Sequence, residues 1–203
     1  MKLGLLTDIH ERVEPLSAAL ARFRQQRVDQ VVVLGDLYEM GTALEETCRL
    51  LAEANVIGVW GNHDFGLCGH TGAEERLRYD ETVQRVMGRL QPRLELEGCH
   101  FSHVEPWLDP ERLEDLWYYD GPPDEQQKFD RIFDSVPHRI LFAGHFHKWL
   151  IVRPDGIVPW DACRPLRLAE GRHFVVVGAV CEGHSAIFDT KTSQLTPFRD
   201  PLS

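Results

Sequence analysis

Five short apolar runs in this chain each end in residues able to hold a metal ion. "LGLLT" leads to Asp8 and His10, "VVVLG" to Asp36, and "VIGVWG" to Asn62 and His63. "CHFS" leads to His103, and "ILFAG" to His145 and His147. Imidazole nitrogen, carboxylate oxygen and amide oxygen suit Mn, Fe, Zn, Co or Ni, and no thiolate joins them as in a structural zinc site. Eight such residues exceed the needs of one ion and fit two. Two cations roughly 3.5–4 Å apart can clamp both the attacking and the leaving oxygen of a phosphoryl displacement. A water between two cations loses its proton near neutral pH and becomes a nucleophile. One polar strand end is an ordinary loop start. Five of them point to a shared edge, and in open α/β sheets the carboxyl edge of the strands is where ligands bind.

The elements that must position these residues show in the periodicity. "KLGLLT" and "QVVVLG" read as strands, and between them "EPLSAALARFRQQ" places Leu16, Leu20 and Phe23 at helical spacing, with Pro15 in the first turn. "TALEETCRLLAEA" is a second helix and "NVIGVW" a third strand, so the alternation predicts a parallel sheet with covering helices. "AEERLRYDETVQRVMGRL" reads as one longer helix, "CHFSHV" and "RILFAG" as strands, and "DEQQKFDRIFDS" as a helix. Residues 106–123, with the aromatic cluster "LWYYDG", form the most loop-like stretch. The tail then changes character. "KWLIVRPDGIVPW", "HFVVVGAV", "SAIFDT" and "QLTPFR" are short strands broken by Asp-Gly and other turn signals, which predicts an antiparallel sheet. The expected fold is one α/β domain over residues 1–203 with two sheets.

Composition narrows the partners. A chain of 203 residues can bury a full core as one domain. The net charge of −10 argues against nucleic acid or an anionic membrane as partner, since both reward a basic face. It leaves room for a small phosphate ester, because bound cations reverse the local field. The apolar start is too short for a signal peptide, and no run approaches the ~20 apolar residues of a membrane span. Five scattered cysteines without a CxxC pair read as reduced thiols, so a cytoplasmic location is expected.

The order of the motifs resembles the calcineurin-like metallophosphoesterases: "DIH", then "GD", "GNHD", "SH" and "GHFH", spread over residues 8–147. The resemblance implies a two-sheet sandwich flanked by helices, with mixed parallel and antiparallel strands and the β-rich tail in the second sheet. It implies roles by position. Asp8, His10 and His147 would hold one metal; Asn62, His103 and His145 would hold the second; Asp36 would bridge them. Manganese is the favoured ion among the candidates above. His63 would not be a ligand but would contact the substrate phosphate and help the leaving oxygen depart, a task that suits an imidazole. Glu39, three residues after Asp36, is the partner expected to orient His63; a solvent-facing loop glutamate is the competing reading. Asp64 is expected to be a structural hydrogen-bonding residue.

Departures from the family pattern bear on substrate. Phosphoprotein phosphatases and diadenosine tetraphosphatases of this family carry "GDxVDRG", whose arginine grips phosphate; here "GDLYEMG" has Met40 in that place. The short chain looks more like the small bacterial phosphodiesterases. Val104 follows His103 where glycine is usual, and Phe146 replaces a small residue in the last motif. Phe146 is a candidate to stack on a substrate ring, against plain packing in its loop. His70, in the loop "FGLCGH", is a second candidate substrate contact. For Arg76 and Arg78, solvated ion pairing outweighs a phosphate contact. For Trp107, Trp117, Tyr118 and Tyr119, ordinary packing outweighs a lid or a subunit contact. The expected activity is hydrolysis of a phosphodiester or phosphomonoester by direct water attack, with the diester favoured. The alternatives are a non-catalytic scaffold, as the retromer subunit of this family is, and a nuclease, for which the chain lacks an evident basic track.

Overall fold

A computed structural model describes residues 1–69, 72–168 and 170–202. The chain opens β1 (Lys2–Leu6), α1 (Val13–Gln25), β2 (Gln30–Leu34), α2 (Leu44–Glu53) and β3 (Ile57–Val59). It continues α3 (Ala73–Arg76), α4 (Glu81–Met87), β4 (Leu94–Leu96), β5 (Cys99–Phe101), α5 (Leu113–Leu116), α6 (Gln126–Ser135) and β6 (Ile140–Ala143). Six strands complete it: β7 (Leu150–Arg153), β8 (Gly156–Ile157), β9 (Leu166–Arg167), β10 (His173–Val176), β11 (His184–Asp189) and β12 (Gln194–Arg199).

These strands form two mixed sheets, ordered β3-β2-β1-β11-β12-β9 and β4-β5-β6-β10-β7-β8. Side chains alternate across each strand, and the alternation sorts them into layers. Leu3, Leu5, Val32 and Leu34 of the first sheet meet Phe101, Phe142 and Val175 of the second in one buried cluster. Leu6, Val31 and Val33 face the other way, against Leu16, Leu20 and Phe23 of α1 and Leu51 of α2. Phe129, Ile132 and Phe133 of α6 cover the outer side of the second sheet. The layers therefore run helix, sheet, sheet, helix, as the family resemblance implied.

Two expectations need correction. The tail does not form a sheet of its own. β11 and β12 extend the first sheet beside β1, whereas β10 lies parallel to β6 in the second. Apolar strands buried on both faces carry no local mark of which sheet they join. The long helix expected over 73–90 is two short ones. Asp80 accepts a hydrogen bond from Val83 N at 2.8 Å and so starts α4 as its N-cap, which ends the preceding turn. The stretch 106–123 is mostly irregular as expected, with the single turn of α5 inside it.

Candidate metal centre

The parallel strands β1, β2 and β3 of one sheet and β5 and β6 of the other all end on the same side of the molecule. Their carboxyl ends meet in a cleft of about 640 Å³ lined by His10, Asp36, Asn62, His63, His145 and His147, among others. The chain must turn sharply there. Asp8, His10, Asp36, His145 and His147 all adopt left-handed backbone, with φ between 46° and 69°. Close approach explains the motif glycines. A Cβ on Gly61 would fall inside the Asp36 carboxylate, and one on Gly144 inside the Thr7 hydroxyl.

The side chains form two donor groups around one carboxylate. In the first, His147 Nε2 lies 3.2 Å from His10 Nε2 and 3.4 Å from Asp8 Oδ1. In the second, Asn62 Oδ1 lies 2.9 Å from His103 Nε2 and 3.1 Å from His145 Nδ1. Asp36 Oδ2 sits between the groups, 3.8 Å from His10 Nε2 and 3.3 Å from His103 Nε2. Neighbours set which ring nitrogen faces inward. His103 Nδ1 donates to Leu34 O at 2.7 Å, and His10 Nδ1 lies 2.7 Å from Glu39 Oε2. With Nδ1 so engaged, the Nε2 atoms of both rings face the cleft and are the ones a cation would meet once their protons leave. His10 Nε2 and His147 Nε2 face each other at 3.2 Å, so a proton or a cation must lie between them. The donor set therefore fits divalent cations.

Protons respond to the same field. The contact with Asp8, and then that with Cys181, raises His147 to about 10. Burial works against the charged form of His103, but the Asp36 carboxylate overrides it and raises His103 to about 9. His145 goes the other way, to about 4, through burial and the His103 charge. For Asp36, burial is outweighed by His103 and His63, which hold it well below the usual carboxylate range.

Glu39 makes two contacts. The shorter is to His10; His63 Nδ1, the expected partner, is at 3.5 Å. The His63 backbone N–H donates to Asp36 Oδ1 at 3.0 Å, while its ring stands on the cleft wall between His10 and Trp117, with centroids 4.8 and 5.2 Å away. Asp64 is fully buried and accepts from Leu37 N, Tyr38 N and Gly61 N, so it ties the loop after β2 to the loop after β3. Burial and the Asp36 charge raise it to about 6. Phe146 packs against the α6 cluster and contacts the rings of His145 and Tyr119. His70 lies outside the described residues. Arg76 binds the carbonyls of Leu67 and Gly69, and Arg78 pairs with Glu75.

Four residues at or beside the cleft carried no expected role or the wrong one. Trp117 is 54% exposed beside His63 and Tyr119 is 62% exposed beside His145, so ordinary packing does not describe either. Arg12 lines the cleft from the turn after Asp8 and His10. Its place next to "DIHE" was the available signal. Cys181, in a one-turn 3₁₀ helix before β11, puts its sulfur 3.8 Å from His147 Nδ1.

The calcineurin-like phosphoesterase superfamily domain model matches residues 1–193, and the chain belongs to that family. An uncharacterised protein of Methanocaldococcus jannaschii, MJ0912, is 31% identical over 164 residues, which cover 71% of this chain. The chain spans 62% of that relative's length. Among solved structures, a metallophosphoesterase from Sphaerobacter thermophilus superposes with a TM-score of 0.80 at 21% identity, covering 100% of this chain and 90% of its own. An archaeal phosphodiesterase superposes with a TM-score of 0.60 at 15% identity, covering 98% and 100%. The family is that of metallophosphoesterases, and the His/Asp groups described above are candidate metal sites. Among the described residues no helix is long and apolar enough to cross a membrane.

Proposed function

We propose that this chain hydrolyses phosphate esters at a dinuclear metal centre, with diesters preferred over monoesters. The observation that carries the reading is the pair of donor groups sharing Asp36 Oδ2. Asp8, His10 and His147 would hold one cation, Asn62, His103 and His145 the other, and manganese suits the nitrogen and oxygen donors. Such cations supply charge neutralisation at the phosphoryl oxygens and an activated water. The residues of the chain do the rest. His63, on the open wall of the cleft, donates a proton or a charged hydrogen bond to the departing ester oxygen. Glu39 fixes the tautomer of His10 and stands within reach of His63. The Arg12 guanidinium offers the phosphate a positive charge from the cleft rim.

The diester preference rests on charge and shape. A monoester dianion calls for more cationic contacts than a diester monoanion. Met40, 75% exposed, stands where related phosphatases place an arginine. The exposed Trp117 gives a second ester group an apolar face to lie on. The natural partner is then a small phosphodiester, not a nucleic acid or a membrane. Five free thiols fit a cytoplasmic location. Hydrolysis of bis-p-nitrophenyl phosphate against p-nitrophenyl phosphate, with added Mn²⁺ and with a chelated control, tests the reading. Metal-dependent cleavage with the diester faster is expected. Faster monoester cleavage overturns the preference, and bound metal with neither ester cleaved returns the scaffold reading.

A further inference from the structure

A second set of metal-type ligands lies away from the cleft, at the opposite edge of the second sheet. β4 is the end strand of that sheet and pairs antiparallel with β5, which sets Glu95 directly across from His100. His138 precedes β6 and brings its ring beside His100, with centroids 5.4 Å apart and planes inclined by 37°. Glu95 Oε1 lies 3.5 Å from His138 Nε2. One donor atom from each of Glu95, His100 and His138 lies within 4.8 Å of the others.

The histidine at the centre of this set is anomalous. His100 is 1% exposed, yet neither of its ring nitrogens has a hydrogen-bond partner among the described residues. The Nδ1 of His138 is likewise buried and unpartnered. Buried imidazoles ordinarily find a partner for at least one nitrogen, because an unmet polar atom forfeits its hydration. Phe101, next on the strand, fills the inter-sheet core, so His100 belongs to the other face, where Glu95 and His138 meet it.

We propose that Glu95, His100 and His138 form a third divalent-cation site, of the transition-metal kind that imidazole favours, such as Zn²⁺. Two nitrogens and one carboxylate oxygen leave a position for water, and the exposed Glu95 leaves the site open to solvent. Burial, with the neighbouring His138, drives His100 down to about 4, so its lone pair is free for a metal at neutral pH. Arg93 and Arg172 are the nearby cations that oppose a metal; the Arg93 guanidinium is directed to Leu108 O at 2.7 Å, and that of Arg172 to the carbonyls of His138, Phe133 and Val136. A bound ion would clamp the edge strand to β5 and to the approach to β6. Those two strands carry His103 and His145 at their far ends. The set shares no residue with the cleft; His100 lies three residues before His103, about 10 Å along an extended chain.

Equilibrium dialysis of the full-length protein against micromolar free Zn²⁺, with metal per chain read by mass spectrometry, tests the site. His138→Ala and, separately, Glu95→Gln are expected to bind one equivalent less than wild type, with circular dichroism and diester turnover in Mn²⁺ unchanged. Glu95 is exposed, so its variant keeps the test valid if loss of a histidine disturbs folding. Equal zinc content in wild type and both variants overturns the proposal. The central reading fails differently: wild type would then hold too few equivalents in total, while the difference of one remained.

Discussion

Replacing His63 by alanine should slow ester cleavage roughly 10²–10⁴-fold, about 3–5 kcal/mol on the barrier, the range of a lost general acid. The structure says why little else should change. The tie from this residue to Asp36 is its backbone N–H, 3.0 Å from Oδ1, and alanine keeps it. The imidazole itself, with its side chain 27% exposed, touches Glu39 at 3.5 Å and two neighbouring rings. Its removal should cost about 1 kcal/mol of stability or less. The decisive assay is kcat across diesters whose leaving groups differ in acidity. An acidic phenol departs without a proton, whereas an alkoxide needs one, so the loss should grow from aryl to alkyl esters. One donor atom each of His10, Asp36 and His63 also lies within 4.8 Å of the others. If His63 is a ligand instead, the variant loses metal and slows every ester by the same factor. That result refutes the acid role.

Asp36→Asn removes the carboxylate that sits between the two donor groups; metal per chain, read after dialysis, should fall, while the His63→Ala control retains it. Arg12→Ala should raise KM for diesters several-fold, and Trp117→Ala should raise KM for aryl more than alkyl diesters; unchanged KM in both refutes the assignment of the cleft rim. His103 and His147 are raised to about 9 and 10, so the metal-free protein carries both protons at pH 7 and metal binding should release them. Affinity should therefore climb as pH rises from 7 towards 10, and calorimetry in buffers of different ionisation enthalpy should count the protons. The same shifts give a stability sign. Both groups are raised above the unfolded 6.5, so their contribution is whole below that pH and is lost as pH rises through 9 to 10 in the metal-free protein only.

The donors were legible because the chemistry is written locally. An apolar run followed at once by Asp, Asn or His places a polar ligand at a strand's end, and the order of five such ends carried the family resemblance. What the sequence hid was non-local. It could not say that β10 would lie parallel to β6 while β11 joined β1, because both are buried along most of their length and their partners are distant in the chain. Glu39 was placed near the site by its spacing from Asp36, but its carboxylate lies closer to His10, at 2.7 Å, than to His63, at 3.5 Å. Trp117 was hidden by its setting in a loop whose course depends on α5 and on Lys128, which reaches the carbonyls of Asp120 and Gly121.

The backbone at the strand ends shows what metal should contribute to folding. Five donors hold left-handed φ, a conformation that costs a non-glycine residue on the order of 1–3 kcal/mol each, with Asp and His among the cheaper residues there. Protein contacts offset part of this. Ile9 N and His10 N both donate to Asp36 O, and the buried Glu11 carboxylate accepts from the amides of Glu39, Gly41 and Ala43. Those bonds hold the two loops in register, while the facing nitrogens of His10 and His147 need a proton or a cation between them. Cations that bind only the folded chain stabilise it by about 2.7 kcal/mol per site at one hundred times Kd, hence about 5 kcal/mol for two sites. For a chain of this size that is roughly 10–20 °C in Tm. Melting the Mn²⁺-loaded protein beside a chelated sample should show such a gap, with hydrogen exchange rising first at residues 8–11, 36 and 145–147. Equal melting temperatures for protein shown to contain metal would mean that the cations bind the unfolded chain as tightly as the folded one, and that the strained turns draw no net stability from them.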